Sequence, residues 1–526
     1  MRSTLRSLSR SLAVLAVGLG ALTACSTPDE PAGDSLVLAD PYEDDTLNPL
    51  MGFAEDGMSK IYEGLVTHDA QRRALPALAA EPPRPSQDGL IWTVRLRSGV
   101  VFHDGSTFGP EDVVATYRTL LDPAAASPLA SSYRMLKEVR QSGPDTVEFR
   151  LRHPYAPFPH KLVLGIVPSE KLTGGPLESS PLNTRPVGTG PYRLVEWRRG
   201  ERLVLAANER HWGGAPTIKH VTVLFVPDDN TRAQRMRRGD FDGTVLPPAL
   251  AGTFARREGL TVRGHHSADY RGVMLPQKHP VTGDLAIRRA LNFAVNREGM
   301  IDALLAGRGT PAHTPIPPTL TPYADPDAAF RFDPDEAARI LDAGGWRAGS
   351  DGIRVKDGRQ ARFTLMYPAG DSVRKMLAGA FASDARRVGI RVDLAGLGWD
   401  AIEPRMDRDA VLMGGGTPLD PDLVAHGLLH SSRAEDGFNN PGSYRDEIVD
   451  DALDRGRESL LPSERADAYR TLQRRLIENP PWVFLVFLEH TYVLREGWSG
   501  YQPVVDPHVH GVLTWGPWWN LEKWRR

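Results

Sequence analysis

A chain of 526 residues can bury a large core, and its length suggests two to four domains. With 41% hydrophobic and 25% charged residues it has the make-up of a soluble globular protein, which excludes a disordered chain. A net charge of -3 excludes nucleic acid as the main partner, since the arginine runs Arg235 to Arg238 and Arg470 to Arg475 fall in amphipathic helical patterns and read as solvated faces.

The N-terminus reads as a targeting segment outside the fold. Arg2, Arg6 and Arg10 precede an apolar stretch, Leu12 to Leu22, that is too short to span a bilayer comfortably. Leu22-Thr23-Ala24-Cys25 then resembles a bacterial lipobox, so residues 1–25 are expected to be a lipoprotein signal peptide, with Cys25 carrying the lipid anchor. Cys25 is the one cysteine of the chain, so no internal disulfide forms. A buried free thiol is the other reading; the preceding apolar run and the Pro/Asp/Glu/Gly-rich tether at 26–34 speak against it. Two or more acyl chains hold a protein stably.

Ser35 to Ala39 reads as a first strand, and a helix is predicted through Met58, Ile61 and Tyr62. Leu90 to Leu96 alternates as a half-buried strand. A helix with Pro110 at its first position follows, with Val113, Val114, Tyr117, Leu120 and Leu121 on one face. His103-Asp104 reads as a turn and cap rather than a catalytic pair. Val147 to Leu151 is a strand, and His153 to Pro159 breaks into a helix. Gly188, Gly190 and Pro191 form a turn before a hairpin around Arg199-Gly200-Glu201, and His211 to Pro216 closes it. Val221 to Val226 is a buried strand, and Asp228-Asp229-Asn230 caps a helix that stops at Gly239.

A lobe change is expected near Tyr270 to Pro276. Asp284 to Ala306 has the strongest helical pattern in the chain, and a capped helix runs from Asp333-Pro334 to Gly344. Strand Phe363 to Tyr367, helix Ser372 to Val388 and strand Ile390 to Leu394 make a β-α-β unit with a parallel pair. Helices at Arg445 to Glu458 and Ser463 to Glu478 precede two strands, Trp482 to Leu488 and Thr491 to Leu494.

Several of these stretches carry more than periodicity. Arg185 to Pro216, with Gly188-Thr189-Gly190-Pro191-Tyr192, Glu196-Trp197, Asn208, His211-Trp212 and Gly213-Gly214-Ala215-Pro216, resembles a motif of extracytoplasmic solute-binding protein family 5. Those proteins serve ABC importers for oligopeptides, dipeptides and nickel. Leu96 to Gly105 with Glu111 to Val114, Gly239 to Asp242, Ile287 to Arg297, and Asp333 to Trp346 resemble further family motifs in the family's order. The resemblance implies an α/β, periplasmic-binding-protein-like type II fold, with two lobes joined by crossing strands and an extra inserted domain. It divides the chain into lobe I at 35–64, inserted domain at 65–185, lobe I again at 186–274, lobe II at 275–488 and a lobe I return segment at 489–526. It further implies a monomeric, non-enzymatic binder without a cofactor, which meets a small-molecule or peptide ligand and ABC permease subunits at the outer face of a bacterial plasma membrane or in the periplasm.

The stretch after Asp409 looks like the family's ligand loop. Peptide-binding relatives carry an acidic residue before the Asp-Pro step; here Thr417 and the uncharged Ala410 to Gly416 run stand there, with Gly414 and Gly415 as ligand-facing candidates. Asp420 either substitutes for the missing acid or caps the following helix, as does Asp422. The same loop resembles the nickel-type branch, with both of its aromatic positions lost. Glu55 falls where nickel-type relatives face ligand. His430 follows the loop, and His508 and His510, at alternate spacing, suit a borderline metal such as nickel or zinc if they share a strand face; packing among Trp515, Trp518 and Trp519 is the other reading. Gly33-Asp34-Ser35-Leu36 with Asp506 and His508 superficially matches a GDSL-type hydrolase, but the Asp-to-His spacing departs from it.

Overall fold

The computed structural model describes residues 34–434, 436–508 and 513–526. Cys25 and its lipobox lie outside the described residues, as does His510. Strand β1 (Ser35–Asp40) opens the fold. The helix expected through Met58 to Tyr62 does not form. The carbonyls of Lys60 and Ile61 are taken by Tyr192 N–H (2.8 Å) and Gly190 N–H (2.9 Å), so tertiary pairing replaces the helical ladder. Gly188 and Gly190 permit this approach, since a Cβ on either would run into the Ile61 and Lys60 backbone. His103 anchors the same turn: its N–H donates to Gly188 O (2.9 Å) and its Nε2 lies 3.0 Å from Gly190 O.

Strands β2 (Ile91–Arg95), β3 (Leu136–Gly143) and β4 (Thr146–Leu151) join the short Arg84–Pro85 strand in a separate four-stranded sheet. Helix α1 (Pro110–Leu121) packs on it through buried Val113, Tyr117 and Leu120. In place of the helix expected after His153 there are short 3-10 turns, Phe158–Lys161, Ser169–Lys171, Leu177–Ser179 and Pro181–Asn183. The predicted hairpin is present as β5 (Tyr192–Arg198) and β6 (Arg202–Ala207), followed by β7 (His220–Phe225). Asp228 accepts from Thr231 N (2.7 Å) and starts α2 (Asp229–Arg238), which leads into β8 (Gly243–Val245) and the long β9 (Leu260–Met274).

The helical pattern at Asp284 to Ala306 divides into α3 (Leu285–Ala294) and α4 (Arg297–Leu304). Asn296 caps the second by accepting from Gly299 N (2.9 Å), while its own N–H goes to Asp384 (3.1 Å). Buried Arg297 then spends its guanidinium on the carbonyls of Asn292, Ala312 and Phe484. Next come α5 (Pro334–Ala343), β10 (Arg362–Pro368), α6 (Ser372–Arg387) and β11 (Arg391–Leu397), with β10 and β11 parallel. They lead to β12 (Ala410–Gly415), α7 (Asp422–Leu429), α8 (Glu447–Glu458) and α9 (Pro462–Glu478). The two strands expected after Pro481 are one, β13 (Trp482–Arg495).

The main sheet runs β11-β10-β12-β9-β13-β8-β1-β7-β6-β5. Strands β9 and β13 pair from Leu260↔Arg495 to Met274↔Trp482 and carry the chain across between two α/β lobes. Each lobe has its own apolar core, with Leu36, Leu205 and Val221 in one and Leu291, Leu365 and Leu377 in the other. The region between β1 and β5 also touches the second lobe: Tyr155 OH donates to Asp422 Oδ2 (2.6 Å), and Arg72 donates to the Pro418 (3.2 Å) and Thr319 (2.9 Å) carbonyls. Among the described residues no helix is long and apolar enough to cross a membrane.

Candidate functional site: facing crevices at the crossing strands

In open α/β sheets the binding crevice lies beyond the carboxyl ends of parallel strands, where the connections of adjacent strands diverge. In the second lobe this point falls between β10 and β12. From β10 the chain passes through α6 to β11 on one side; from β12 it passes through α7, α8 and α9 to β13 on the other. In the first lobe β1 lies parallel between β7 and β8, and α2 carries the chain across it. The two ends face one another. Ser372 Oγ at the start of α6 lies 3.2 Å from Asp229 Oδ2 at the start of α2, and Tyr42, just past β1, sits within the fields of Asp371, Arg271, Arg374 and Asp269.

Side chains from four segments converge there. Arg271 on β9 is directly opposite Gly414 on β12, and Tyr270 is opposite Gly415. Arg374 lies in the first turn of α6, where Asp371 caps the helix by accepting its N–H (2.8 Å) and pairs with its Nη1 (2.9 Å). Both guanidiniums fold over Gly414: a Cβ there would collide with Arg271 Nη1 and stand 2.7 Å from Arg374 Nη2. Both arginines are only 7% exposed, and the Nε of each is buried without a hydrogen-bond partner. Tyr42, 59% exposed, and Trp399, 38% exposed with its ring centroid 5.9 Å from the Arg374 guanidinium, flank them on the solvent side.

Behind the arginines lies a chain of carboxylates and imidazoles. Asp269 pairs with Arg271, accepts from His508 Nδ1 (2.6 Å) and lies 3.0 Å from His490 Nε2. His490 Nδ1 then lies 3.2 Å from Asp506, which also receives Tyr492 OH (2.7 Å) and Gly516 N–H (3.0 Å). Burial alone would raise Asp269, but Arg271, His508 and His490 outweigh it and hold the carboxyl well below its usual range. Burial would likewise lower His490, yet the two carboxylates push it up to about 9. Burial also opposes the charge on Arg271, whose pKa nevertheless rises beside Asp269. Arg374, buried and next to Arg271, is lowered. At the end of β1, burial pushes Asp40 up to about 7.

The candidate residues read from the sequence separate into those at the crevice and those away from it. Gly414, Gly415 and His508 are at it; His508 lies in a bend, not on a strand, and is committed to Asp269. Thr417 is buried, and its hydroxyl meets the Leu419 N–H (3.4 Å). Asp420 receives Arg465 Nη2 on both of its oxygens (2.8 Å each) and also accepts the Asp422 N–H (3.0 Å), so it serves as an internal counter-ion and helix start. Asp422 is taken by Tyr155 and Arg457. His430 stands at the far end of α7, about 12 Å along the helix from its cleft end at ~1.5 Å per residue. Glu55 touches solvent, yet its carboxyl is pushed up to about 7, first by the protein crowded around it and then by Asp56. Lys161 opposes that rise. Ser35 opens β1 at the end of the strand opposite to Asp40, and Asp506 is committed to His265, His490 and Tyr492, so Ser35, His508 and Asp506 do not form a Ser-His-Asp arrangement.

Two other features compete for attention. His426, His430 and Asp454 bring ligand atoms within 4.8 Å of one another. However, His426 Nε2 accepts from Arg457 Nη1 (2.6 Å) and His430 Nδ1 accepts from Ser432 N–H (3.0 Å), which places the proton of His430 on Nε2, facing Asp454. Those lone pairs are spent, and a guanidinium adjoins the group. A cavity of about 760 Å³ opens between residues 58–77 and the C-terminal segment at 502–523. Within it Lys60 pairs with Glu522 (3.1 Å) and the Trp519 carbonyl, and Glu63 accepts from Trp212 and Thr189. Arg271, Arg374, Tyr42 and His490 carry no motif in the sequence; the one signal pointing to Arg374 was its place just past a strand of a predicted parallel pair.

Known proteins are similar to this chain in sequence and in fold. The family model described as "Bacterial extracellular solute-binding proteins, family 5 Middle" matches residues 73–436. "Protein XP55" of Streptomyces lividans is 44% identical over 524 residues, covering 98% of this chain and 96% of that one. The structure of NikZ from Campylobacter jejuni in complex with Ni(L-His) superposes with a TM-score of 0.85 at 28% identity, covering 94% of this chain and 99% of that one. That of the oligopeptide-binding protein AppA from Bacillus subtilis, in complex with a nonapeptide, gives 0.81 at 26% identity, covering 93% and 98%.

Proposed function

Because the chain belongs to the bacterial extracellular solute-binding proteins of family 5, we propose that it is the substrate-binding component of an ABC importer. It captures a peptide or peptide-like small solute between its lobes and delivers it to a membrane permease. The observation that carries this reading is the opposition of two strand-end crevices across the crossing strands β9 and β13, with Ser372 touching Asp229 over the gap. A solute that contacts both lobes favours the closed arrangement by its differential affinity, and the closed form is what a permease reads. The buried charges are paired for structure or turned to the crevice, which suits a binder rather than a catalyst. A lipid on Cys25 keeps the monomer at the outer face of the membrane. The relative solved with Ni(L-His) favours a second reading, a nickel chelate held in the same crevice.

Thermal unfolding of the purified protein tests both. A bound solute at a hundredfold excess over its dissociation constant adds about 2.7 kcal/mol of stability, so a di- to pentapeptide or nickel with free histidine should raise Tm and quench tryptophan emission. A screen in which neither class does so sinks both readings.

A further inference from the structure

From two contacts made by neither crossing strand, one at Tyr155 and one at Arg72, we infer that the region between β1 and β5 clasps the second lobe and holds the protein closed before any solute arrives. This rests on the lobe movement that the binding role proposed above requires, and it names what sets the resting position. The region shares its apolar core with the first lobe, since Trp92, Tyr117 and Phe149 belong to one cluster with Leu36, Leu205 and Val221. A core packed in this way moves with the first lobe as one body. Every bond from it to the second lobe must therefore break when the lobes part.

At the first contact Tyr155 OH donates to Asp422 Oδ2 (2.6 Å), and the Tyr155 ring lies 5.2 Å from the guanidinium of Arg457, which pairs with the same carboxylate (3.1 Å). The next residue, Ala156, donates its N–H to the Arg457 carbonyl (2.8 Å). Leu460, just past α8, closes over this corner, where its Cδ1 would stand 3.1 Å from a Cβ on Gly89. Tyr155 and Asp422 are both buried, so parting the lobes would bring a ring and a carboxylate to the surface. The second contact is built by a turn. Asp69 accepts the N–H groups of Gln71 and Arg73 (2.9 Å each), and Arg72 between them has a φ of 67°, uncommon for a residue with a side chain. Its guanidinium donates to the Pro418 (3.2 Å) and Thr319 (2.9 Å) carbonyls. Three of these four acceptors are main-chain carbonyls, which neither titrate nor change rotamer. None of the bonds runs through Arg271, Arg374, Tyr42 or Gly414, so closure is favoured with nothing between the lobes, and the fraction already closed scales the apparent affinity.

Native-state hydrogen exchange and small-angle X-ray scattering of the full mature chain, dialysed free of solute, test this. The Ala156 amide should exchange about tenfold faster in Tyr155→Phe than in the native protein, the loss expected for a hydrogen bond to a charged acceptor. Arg72→Ala, which removes the other contact, should speed the same amide about as much, and both variants should have a larger radius of gyration. Amides of β7, in the core of the first lobe, should keep their protection in both. Loss of protection there as well would mean that the contacts hold the fold and not the closure, and overturns the inference. Faster exchange in Tyr155→Phe alone, with no change in radius, would make its bond a local one and overturns it too, as would identical scattering from all three proteins. A clasp that behaves as expected in a protein answering to no solute would refute the importer reading alone. Solute binding with three identical scattering profiles would refute the clasp alone.

Discussion

His490 shows how one side chain ties the crossing strands to the crevice. It lies on β13, reaches Asp269 on β9 with one nitrogen and Asp506 of the return segment with the other, and titrates near 9 in consequence. A histidine whose folded pKa exceeds its unfolded value of about 6.5 contributes stability that is complete below pH 6.5 and is lost as pH rises through about 9. The size is on the order of 3 kcal/mol, because each tenfold gain in proton affinity on folding contributes about 1.4 kcal/mol. Urea unfolding between pH 6.5 and 9.5 should therefore show a steeper loss in the native protein than in His490→Gln. Parallel slopes would show that the bridge is not charged. Periodicity does not reveal His490: the strand pattern around it places a side chain on a face, whereas its two carboxylate partners come from positions 221 and 16 residues away.

Among the elements, the turn at Gly188 to Pro191 explains why a helical pattern nearby fails. Met58, Ile61 and Tyr62 have the right spacing, but their segment lies flat against the turn and gives its carbonyls to Tyr192 and Gly190. Gly188→Ala should therefore press a methyl against the Ile61 carbonyl and the Tyr62 ring, destabilising the protein by about 1–3 kcal/mol. Equilibrium denaturation measures this, and an unchanged midpoint would mean that the two segments separate freely. The same logic splits the Asp284 to Ala306 pattern into α3 and α4, because Asn296 and Arg297 find better partners in α6 and β13 than along their own helix. Elements whose hydrogen bonds are local, such as α1, α2, α5 and the β5–β6 hairpin, were legible in the sequence nearly to the residue.

For the whole molecule, the proposed anchor and the proposed binding crevice lie in different parts of the chain. Under the proposed lipid anchor, Cys25→Ser should move the protein from the membrane pellet to the soluble fraction without altering its binding; a variant that stays in the pellet would refute the lipid. That expectation needs the sequence alone, because a processing signal is read as a linear string. The order of strands and helices, the parallel β10–β11 pair and the family were likewise written in local pattern and turn chemistry. The crevice was not. It exists only because β9 and β13 cross between lobes, setting Arg271 opposite Gly414 and bringing α6 to face α2. Asp420 and Asp422, the acids a linear reading favours, are neutralised by Arg465 and Arg457 on later helices. Charge pairing is settled by distances between residues far apart in sequence, and only the tertiary structure decides which charges remain for a ligand.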